Sequence, residues 1–159
     1  MPRVLIIGYG NPYRGDDAFG MLAAEQFKAG NRDPDVQVEA VQELHPEFAE
    51  LISQADLVLF LDASPKGAPG TVEVRPLAPA EESTGLFSHE LTPSRLLAAA
   101  RVLYGRSPEA RMITVTGEDF GLGAKLSPPV EAALSGVLAH LQAVVAESRP
   151  GKTSAGRPS

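Results

Sequence analysis

Residues 3–20 read RVLIIGYGNPYRGDDAFG, and this stretch decides the fold. The run from Arg3 to Gly8 is short, apolar and closed by glycine, which is typical of a strand buried on both faces. A turn rich in Gly, Asn and Pro follows it. Apolar residues then recur at helical spacing up to Gly30, so a first helix is expected over about Asp17 to Lys28. A strand, a glycine-rich turn and a helix in this order begin an α/β domain.

The rest of the chain continues this alternation of strands and helices. Strand three is the most apolar, covers Leu57 to Leu61 and ends on Asp62. The order β-α-β-α-β-β-α-β-α predicts one α/β domain with a mostly parallel five-stranded sheet sandwiched between helices. This domain is expected over residues 1–147. Residues 148–159 are basic and poor in apolar side chains, and are expected to form a disordered tail.

Helix boundaries are also marked in the sequence. Thr92 followed by Pro93 predicts the start of the third helix, and Gly105 its end. Ser127 followed by Pro128 predicts the start of the last helix, where Ser127 is expected to act as the cap.

The composition of the 159 residues excludes several classes of chemistry. The absence of cysteine excludes a thiol nucleophile, a thiolate zinc site and a redox Cys-x-x-Cys pair. Twenty acidic against fourteen basic residues give a net charge of −6, which argues against a general nucleic-acid binder. The chain shows neither a signal peptide pattern nor an apolar run of about 18 residues. A cytoplasmic protein without membrane or nucleic-acid partners is therefore expected.

Polar residues after two of the predicted strands mark a candidate site. The adjacent acids Asp16 and Asp17 follow the first strand, Asp62 ends the third, and His89 precedes the helix that Thr92 begins. Ligands of open α/β sheets bind beyond the carboxyl ends of the strands. Two carboxylates and an imidazole placed there form a set that can bind a divalent metal. The simpler alternatives are helix capping for the paired acids, a loop contact for Asp62 and a surface role for His89.

A dinucleotide site is the alternative suggested by the glycines of the first loop. The fingerprint G-x-G-x-x-G requires a third glycine where this chain has Tyr13. The acids Asp16 and Asp17 before the helix would also repel a pyrophosphate. Nucleotide binding is therefore a secondary hypothesis.

The sequence resembles the hydrogenase maturation protease family over residues 3 to 147. The resemblance is carried by GYGNPYRGDDAFG at 8–20, LVLFLDA at 57–63, a histidine before a helix, and GLGAKLSPPV at 121–130. It implies a twisted five-stranded sheet between helices. It also implies an endopeptidase that removes the C-terminal extension of a [NiFe] hydrogenase large-subunit precursor, with the nickel already inserted in that precursor as the metal contacted and with no organic cofactor.

Matched residue by residue, the resemblance assigns metal contacts to Asp17, Asp62 and His89, and catalytic roles to the two acids. One carboxylate would polarise the attacking water, while the metal would stabilise the developing oxyanion. Asp16 would cap the helix or support Asp17. The loop that presents Asp17 is expected to be shaped by a supporting set: Gly8, Gly10, Asn11 and Gly15, with Asp16.

The chain departs from the family pattern at two places. Ala18 stands where the family usually has glycine, which is acceptable if that residue is helical. Residues 41–46 read VQELHP where the family commonly has an Asp-Gly-Gly turn, and this affects the substrate more than the fold. His45 in this segment is a possible substrate contact, against a plain loop role. The departure also keeps open a non-cleaving accessory factor that binds a metal or a protein.

Overall fold

Five strands and four helices make up the computed structural model, which describes residues 2–81, 90–123 and 125–149. Their order along the chain is the predicted one. The strands are β1 Val4–Tyr9, β2 Val36–Val41, β3 Leu57–Ser64, β4 Val72–Pro76 and β5 Glu109–Thr116. The helices are α1 Phe19–Gly30, α2 Phe48–Gln54, α3 Pro93–Tyr104 and α4 Pro128–Glu147, and a short 3-10 turn, Gly15–Ala18, precedes α1.

The strands form a single sheet in the order β2-β1-β3-β5-β4. The first four are mutually parallel, and only the edge strand β4 is antiparallel to its neighbour β5. Strands β1 and β3 lie side by side in a register that pairs Gly8 with Leu61. Their carboxyl ends therefore meet at one edge of the sheet, where the predicted site residues were expected to gather.

Helices cover both faces of the sheet, as the apolar strand sequences predicted. Alternate residues of β1 and β3 face opposite sides because side chains alternate along a strand. Val4, Ile6 and Leu59 pack with α1 and α4, whereas Leu5 and Phe60 pack with α2 and α3. By the same alternation Asp62, two residues beyond Phe60, lies on the face of the sheet that α2 and α3 cover.

Two predicted boundaries near the site are wrong by a few residues. Strand β3 continues to Ser64, so Asp62 lies within the strand rather than at its end. Asp17 does not begin the first α-helix, because the 3-10 turn comes first and α1 starts at Phe19. Ala18, the residue that replaces the family glycine, has a right-handed helical backbone with φ −72° and ψ −11°, which alanine adopts without strain.

The boundaries of α3 confirm the sequence signals. The Thr92 hydroxyl oxygen accepts a hydrogen bond from the amide of Arg95 at 3.2 Å, Pro93 occupies the first turn, and Gly105 ends the helix with φ 78°. The expected capping role of Ser127 is wrong in its side-chain detail. Ser127 holds the cap position of α4, but its side chain makes no capping hydrogen bond and is used elsewhere.

Helix α4 is long and apolar enough to cross a membrane by length and composition, with a mean hydropathy of 1.3. Core helices of soluble proteins also meet this criterion. One side of α4 packs on the sheet with five buried residues, among them Val137 and Leu141. After the helix, Ser148 accepts a hydrogen bond from Arg3 at 3.0 Å. Residues 150–159 of the predicted tail lie outside the described residues.

A buried carboxylate joins the first loop to the loop that follows β5. Asp16 is fully buried, and its carboxylate accepts four hydrogen bonds of 2.7–3.0 Å. The donors are the amides of Glu118, Asp119 and Ser127 and the Ser127 hydroxyl. Burial alone would raise the pKa of Asp16, but these hydrogen bonds outweigh it and hold the pKa below the usual value. Asp16 therefore fastens two loops together instead of capping α1.

We expect the substitution Asp16→Asn to lower the free energy of unfolding by roughly 2–4 kcal/mol at pH 7. The N–H group of the asparagine amide would face donors that now hydrogen-bond to a carboxylate, and these groups would be left unpaired. The native pKa of Asp16 lies below its unfolded value, so its stabilising effect is complete above pH about 4 and is lost as the pH falls through the native pKa. Urea denaturation at pH 7 and near pH 3 measures both effects. The control is Asp56→Asn, which removes an exposed ion pair with Arg106. Equal stability of the Asp16 variant and the wild type at pH 7 would contradict the role assigned to Asp16.

Candidate active site

A cleft of about 490 Å³ opens at the carboxyl edge of the sheet, on the face that α2 and α3 cover. Its walls come from the ends of β1, β2 and β3 and from the residues that precede α3. Two of the predicted acids, Asp17 and Asp62, line it together. The other lining residues are Tyr9, Gly10, Gln42, Glu43, Leu44, Glu90 and Leu91.

The first loop brings Asp17 to this cleft. Gly10 has φ 152°, and a Cβ atom at this position would collide with the carbonyl oxygen of Asp17, so glycine is required. The close approach lets the amide of Asn11 donate a hydrogen bond to Asp17 Oδ2 at 2.8 Å. The half-buried carboxylate of Asp17 is thereby fixed at the mouth of the loop.

The other end of this loop is held by the loop after β5. Gly15 has φ 55°, its amide donates to the carbonyl of Gly123 at 2.9 Å, and a Cβ atom here would collide with the carbonyl oxygen of Asp119. Tyr13 accepts a hydrogen bond from the Gly123 amide at 3.0 Å. The supporting residues proposed from the sequence thus lie in a loop fixed at several points, with Gly8 buried in β1 beneath it.

Asp62 lies next to Tyr9 at the base of the cleft. Its Oδ1 accepts a hydrogen bond from the amide of Ala63 at 2.8 Å, and Tyr9 lines the same cleft. Burial raises the pKa of Asp62 to about 6, and the nearby charge of Asp17 adds to the rise, while the hydrogen bond from Ala63 and the neighbouring Tyr9 hydroxyl oppose it. Burial together with the charge of Asp62 also raises the pKa of Tyr9 well above its usual value.

Of the three histidines, His45 and His140 lie among the residues that the structure describes. His89, the predicted third metal contact, lies outside the described residues. His45 is exposed and makes an edge-on ring contact with Phe48, with ring centroids 5.4 Å apart, and it is not among the lining residues of the cleft. His140 is half-buried on α4. Within residues 2–81, 90–123 and 125–149, no three metal-binding side chains are grouped closely enough to hold an ion.

Sequence reasoning missed Tyr9, Leu44 and Leu91. Their side chains pack against the apolar cluster on the α2 and α3 face and also line the cleft, so they give it an apolar floor beside Asp62. Tyr9 could have been found from one signal, since it follows the apolar run of β1 just as Asp62 follows that of β3. Neither Leu44 nor Leu91 carries a comparable signal.

A second and larger cavity, of about 750 Å³, lies near the opposite edge of the sheet between α1 and α4. Its charged side chains pair with one another: Arg3 contacts Asp33 at 2.7 Å, and Arg149 contacts the same carboxylate at 3.5 Å. None of the predicted site residues lines this cavity. The smaller cleft is therefore the better candidate, because it contains Asp17 and Asp62 and lies beyond the carboxyl ends of the parallel strands, where α/β sheets bind their ligands.

The two carboxylates of the cleft can perform two kinds of chemistry. Carboxylate oxygens are ligands for divalent metals, and two of them here face one space. A carboxyl group with a pKa of about 6 can also accept or donate a proton near neutral pH. Fold and site together define a class of small α/β protein that carries paired acids at the carboxyl edge of a parallel sheet.

Solved structures similar to this chain include hydrogenase maturation proteases. The hydrogenase maturating endopeptidase HybD from E. coli aligns with a TM-score of 0.70 and 26% identity, over 92% of this chain and 93% of its own. The [NiFe] hydrogenase maturation protease HycI from Thermococcus kodakarensis aligns with a TM-score of 0.70 and 26% identity, over 87% and 89% of the two chains. The hydrogenase 2 maturation peptidase from a Thaumarchaeota archaeon has a TM-score of 0.68 and 24% identity, over 91% and 98%.

No family model matches the chain, and no curated protein matches it either. The likeness to the solved structures nevertheless covers almost the whole chain, so the resemblance to the hydrogenase maturation protease family is confirmed. The single α/β domain with a mostly parallel five-stranded sheet is confirmed as well. These neighbours support an endopeptidase role for the protein.

We expect Asp62→Asn to raise the free energy of unfolding at pH 8 by roughly 1–3 kcal/mol. The native pKa of Asp62 lies above its unfolded value, so the wild type loses stability as the pH rises from about 4 through 6, whereas asparagine does not ionise. Chemical denaturation of both proteins at pH 4 and pH 8 tests this expectation, since the difference should disappear at pH 4. A variant less stable than the wild type at pH 8 would show that Asp62 is a structural carboxylate instead.

Proposed function

We propose that the protein is an endopeptidase that removes the C-terminal extension of a nickel-loaded [NiFe] hydrogenase large-subunit precursor. The observation that carries the proposal is the placement of Asp17, from the turn before α1, and Asp62, from β3, in one cleft of a fold shared with named maturation proteases. The floor of the cleft is partly apolar.

In this proposal the nickel belongs to the substrate. Two carboxylates are an incomplete ligand set for an ion of this kind, which usually has at least three protein ligands. The remaining ligands would come from the precursor and from His89, whose part rests on the sequence resemblance alone. An ion already held in the precursor would thus be contacted from outside, and cleavage would depend on its presence. No organic cofactor is required, and the reaction would take place in the cytoplasm.

Hydrolysis of the peptide bond requires two proton movements that the cleft can support. A water oxygen attacks the scissile carbonyl carbon and loses a proton, and the departing nitrogen gains a proton as the C–N bond breaks. Asp62 is suited to take the first proton and to supply the second, because its pKa of about 6 lies close to neutral pH. Asp17, fixed by the Asn11 amide, would contact the metal, which stabilises the negative charge that develops on the carbonyl oxygen.

We expect the protein to shorten a nickel-loaded precursor by one C-terminal segment and to leave the metal-free precursor intact. Intact-mass spectrometry of both incubations measures this directly. Asp17→Asn and Asp62→Asn should each lower the cleavage rate by roughly 100-fold or more, the range found when a group that stabilises the transition state is removed.

Asp56→Asn is the matched control for these two variants. Asp56 immediately precedes β3, at the opposite edge of the sheet from Asp62. Its side chain forms an exposed ion pair with Arg106 at 3.3 Å. This variant should cleave at the wild-type rate. Full cleavage by both cleft variants would overturn the proposed site, even if the protein proved to be a protease.

The second candidate function is a non-cleaving accessory factor that binds a metal or the precursor. The specific observation in its favour is that Gln42, Glu43 and Leu44 line the cleft where the family commonly has an Asp-Gly-Gly turn. A stable complex with the nickel-loaded precursor, isolated by gel filtration without any loss of mass, would favour the accessory factor over the protease.

A further inference from the structure

Strand β4 forms one outer edge of the sheet, and all of its residues are exposed. It pairs with β5 on one side and has no neighbour on the other side within the sheet that the described residues form. An open edge of this kind is a template for a further strand, because its outward N–H and C=O groups have no partner in the sheet. Strand β4 is therefore a candidate interaction surface.

The outward backbone groups of β4 belong to alternate residues. The amide of Leu77, immediately after β4, donates to a carbonyl of β5 at 2.9 Å, and the carbonyl of Thr71, immediately before β4, accepts from an amide of β5 at 2.9 Å. In an antiparallel ladder, residues that bond to the neighbouring strand alternate with residues whose backbone groups face away from it. Val72, Val74 and Pro76 therefore face away from β5. Proline has no N–H group, so the outward donors are the amides of the two valines.

The side chains of β4 divide between its two faces. Val72 and Val74 lie opposite residues of β5 that belong to the apolar cluster under α1 and α4. The two valines are nevertheless 42% and 41% exposed, so the apolar side of the sheet continues uncovered to its edge. Glu73 and Arg75 lie on the other face, where their charged groups are 3.9 Å apart and both side chains are exposed. Strand β4 thus has one apolar face and one face that carries a charge of each sign.

The sequence of β4 is complementary to itself in the antiparallel direction. When two copies of β4 are aligned about a two-fold axis at Val74, Glu73 of each copy lies opposite Arg75 of the other. The two Val74 residues then exchange N–H and C=O bonds, and the amide of Val72 donates to the carbonyl of Pro76 in the second copy. Opposite charges that face each other across a strand pair stabilise it. The surface therefore meets the requirement of a two-fold interface, in which one patch contacts a second copy of itself.

Helix α4 flanks this edge on the face of the two valines. Gly70, just before β4, approaches the first turn of α4 so closely that a Cβ atom would lie 2.9 Å from the carbonyl oxygen of Pro129. Although α4 is apolar, only 28% of its most apolar stretch is buried. One side of α4 lines the cavity shared with α1, so the opposite side, which includes Gly136 and Ala143, is turned away from α1. Both residues are small and exposed, which permits close approach of another chain.

We propose that a second copy of this chain binds antiparallel along β4, so that the two sheets become one continuous sheet about a two-fold axis. A strand pair of this length buries less than the roughly 800 Å² per partner of a stable interface, and the uncovered side of α4 supplies the remaining contact. The alternative is an edge that is merely protected, since short strands, charges and proline all hinder edge pairing. The exposed valines and the opposite charges at symmetry-related positions favour the dimer. This inference does not depend on the proposed function.

Charge reversal on β4 tests the pairing, with the dimer dissociation constant of the full chain measured by sedimentation velocity over a range of concentrations. We expect Glu73→Arg and Arg75→Glu each to raise this constant by about 10-fold or more, because both cross-strand pairs would then join like charges. The double variant Glu73→Arg/Arg75→Glu exchanges the charges and should restore dimerisation. The control is Glu25→Arg, the same change on an exposed residue of α1, which should dimerise like the wild type.

Val74→Pro tests the backbone part of the interface. The amide of Val74 faces away from β5, so proline at this position removes an outward donor and no hydrogen bond of the sheet. We expect the variant to keep the circular dichroism spectrum of the wild type and to be monomeric. If the variant does not fold, the charge variants decide the question by themselves.

Several results would overturn the proposal. A wild type that is monomeric at every concentration would leave β4 as a protected edge. A dimer that is equally stable in both single charge variants would have its contact elsewhere, and a double variant that stays dissociated would exclude the antiparallel register. A monomeric wild type whose affinity for the hydrogenase precursor falls on Val74→Pro would show that β4 binds a different polypeptide. None of these outcomes bears on cleavage, which is measured separately.

Discussion

The buried carboxylate of Asp16 is the interaction on which the arrangement of the site depends. It accepts four hydrogen bonds from residues 102 to 111 positions further along the chain and so joins the loop after β1 to the loop after β5. A buried charge is tolerated only when it is hydrogen-bonded, and here the backbone provides this. The side chain of Asp16 is buried in the protein, whereas the side chain of the next residue in the same 3-10 turn, Asp17, lines the cleft. Asp16 thus helps to place Asp17, the acid proposed to contact the metal.

The strands and helices were predictable because their signals are local. The apolar runs of β1 and β3, the Thr92–Pro93 start and the Gly105 end are each contained within a few residues. The different roles of Asp16 and Asp17 could not be predicted, because two adjacent acids look alike until their distant partners are known. The proximity of Tyr9 to Asp62 could not be predicted for a related reason. The two residues are close only because β1 and β3 are neighbours in the sheet, and these strands are far apart in the sequence.

Asp62 is a candidate functional group whose ionisation lowers the free energy of unfolding. Burial raises the pKa of Asp62, which means that ionisation of this group near neutral pH opposes folding. Apolar clusters on both faces of the sheet supply the stability that offsets this cost. The perturbed carboxyl group thus lies on the central strand β3 at the base of a cleft, and its pKa of about 6 is close to the pH at which it would act.

The departure from the family pattern at residues 41–46 falls on the wall of the cleft and not on its acids. Gln42, Glu43 and Leu44 face the space that Asp17 and Asp62 share, whereas His45 lies outside it against Phe48. Side chains stand here where the family commonly has a turn with two glycines, so this wall is bulkier, and Glu43 gives it an acid as the family turn also has. Under the proposed function, a change confined to this wall would alter which polypeptide fits and would leave Asp17 and Asp62 in place. The proposal therefore assigns the divergence at residues 41–46 to the choice of substrate and not to the chemistry.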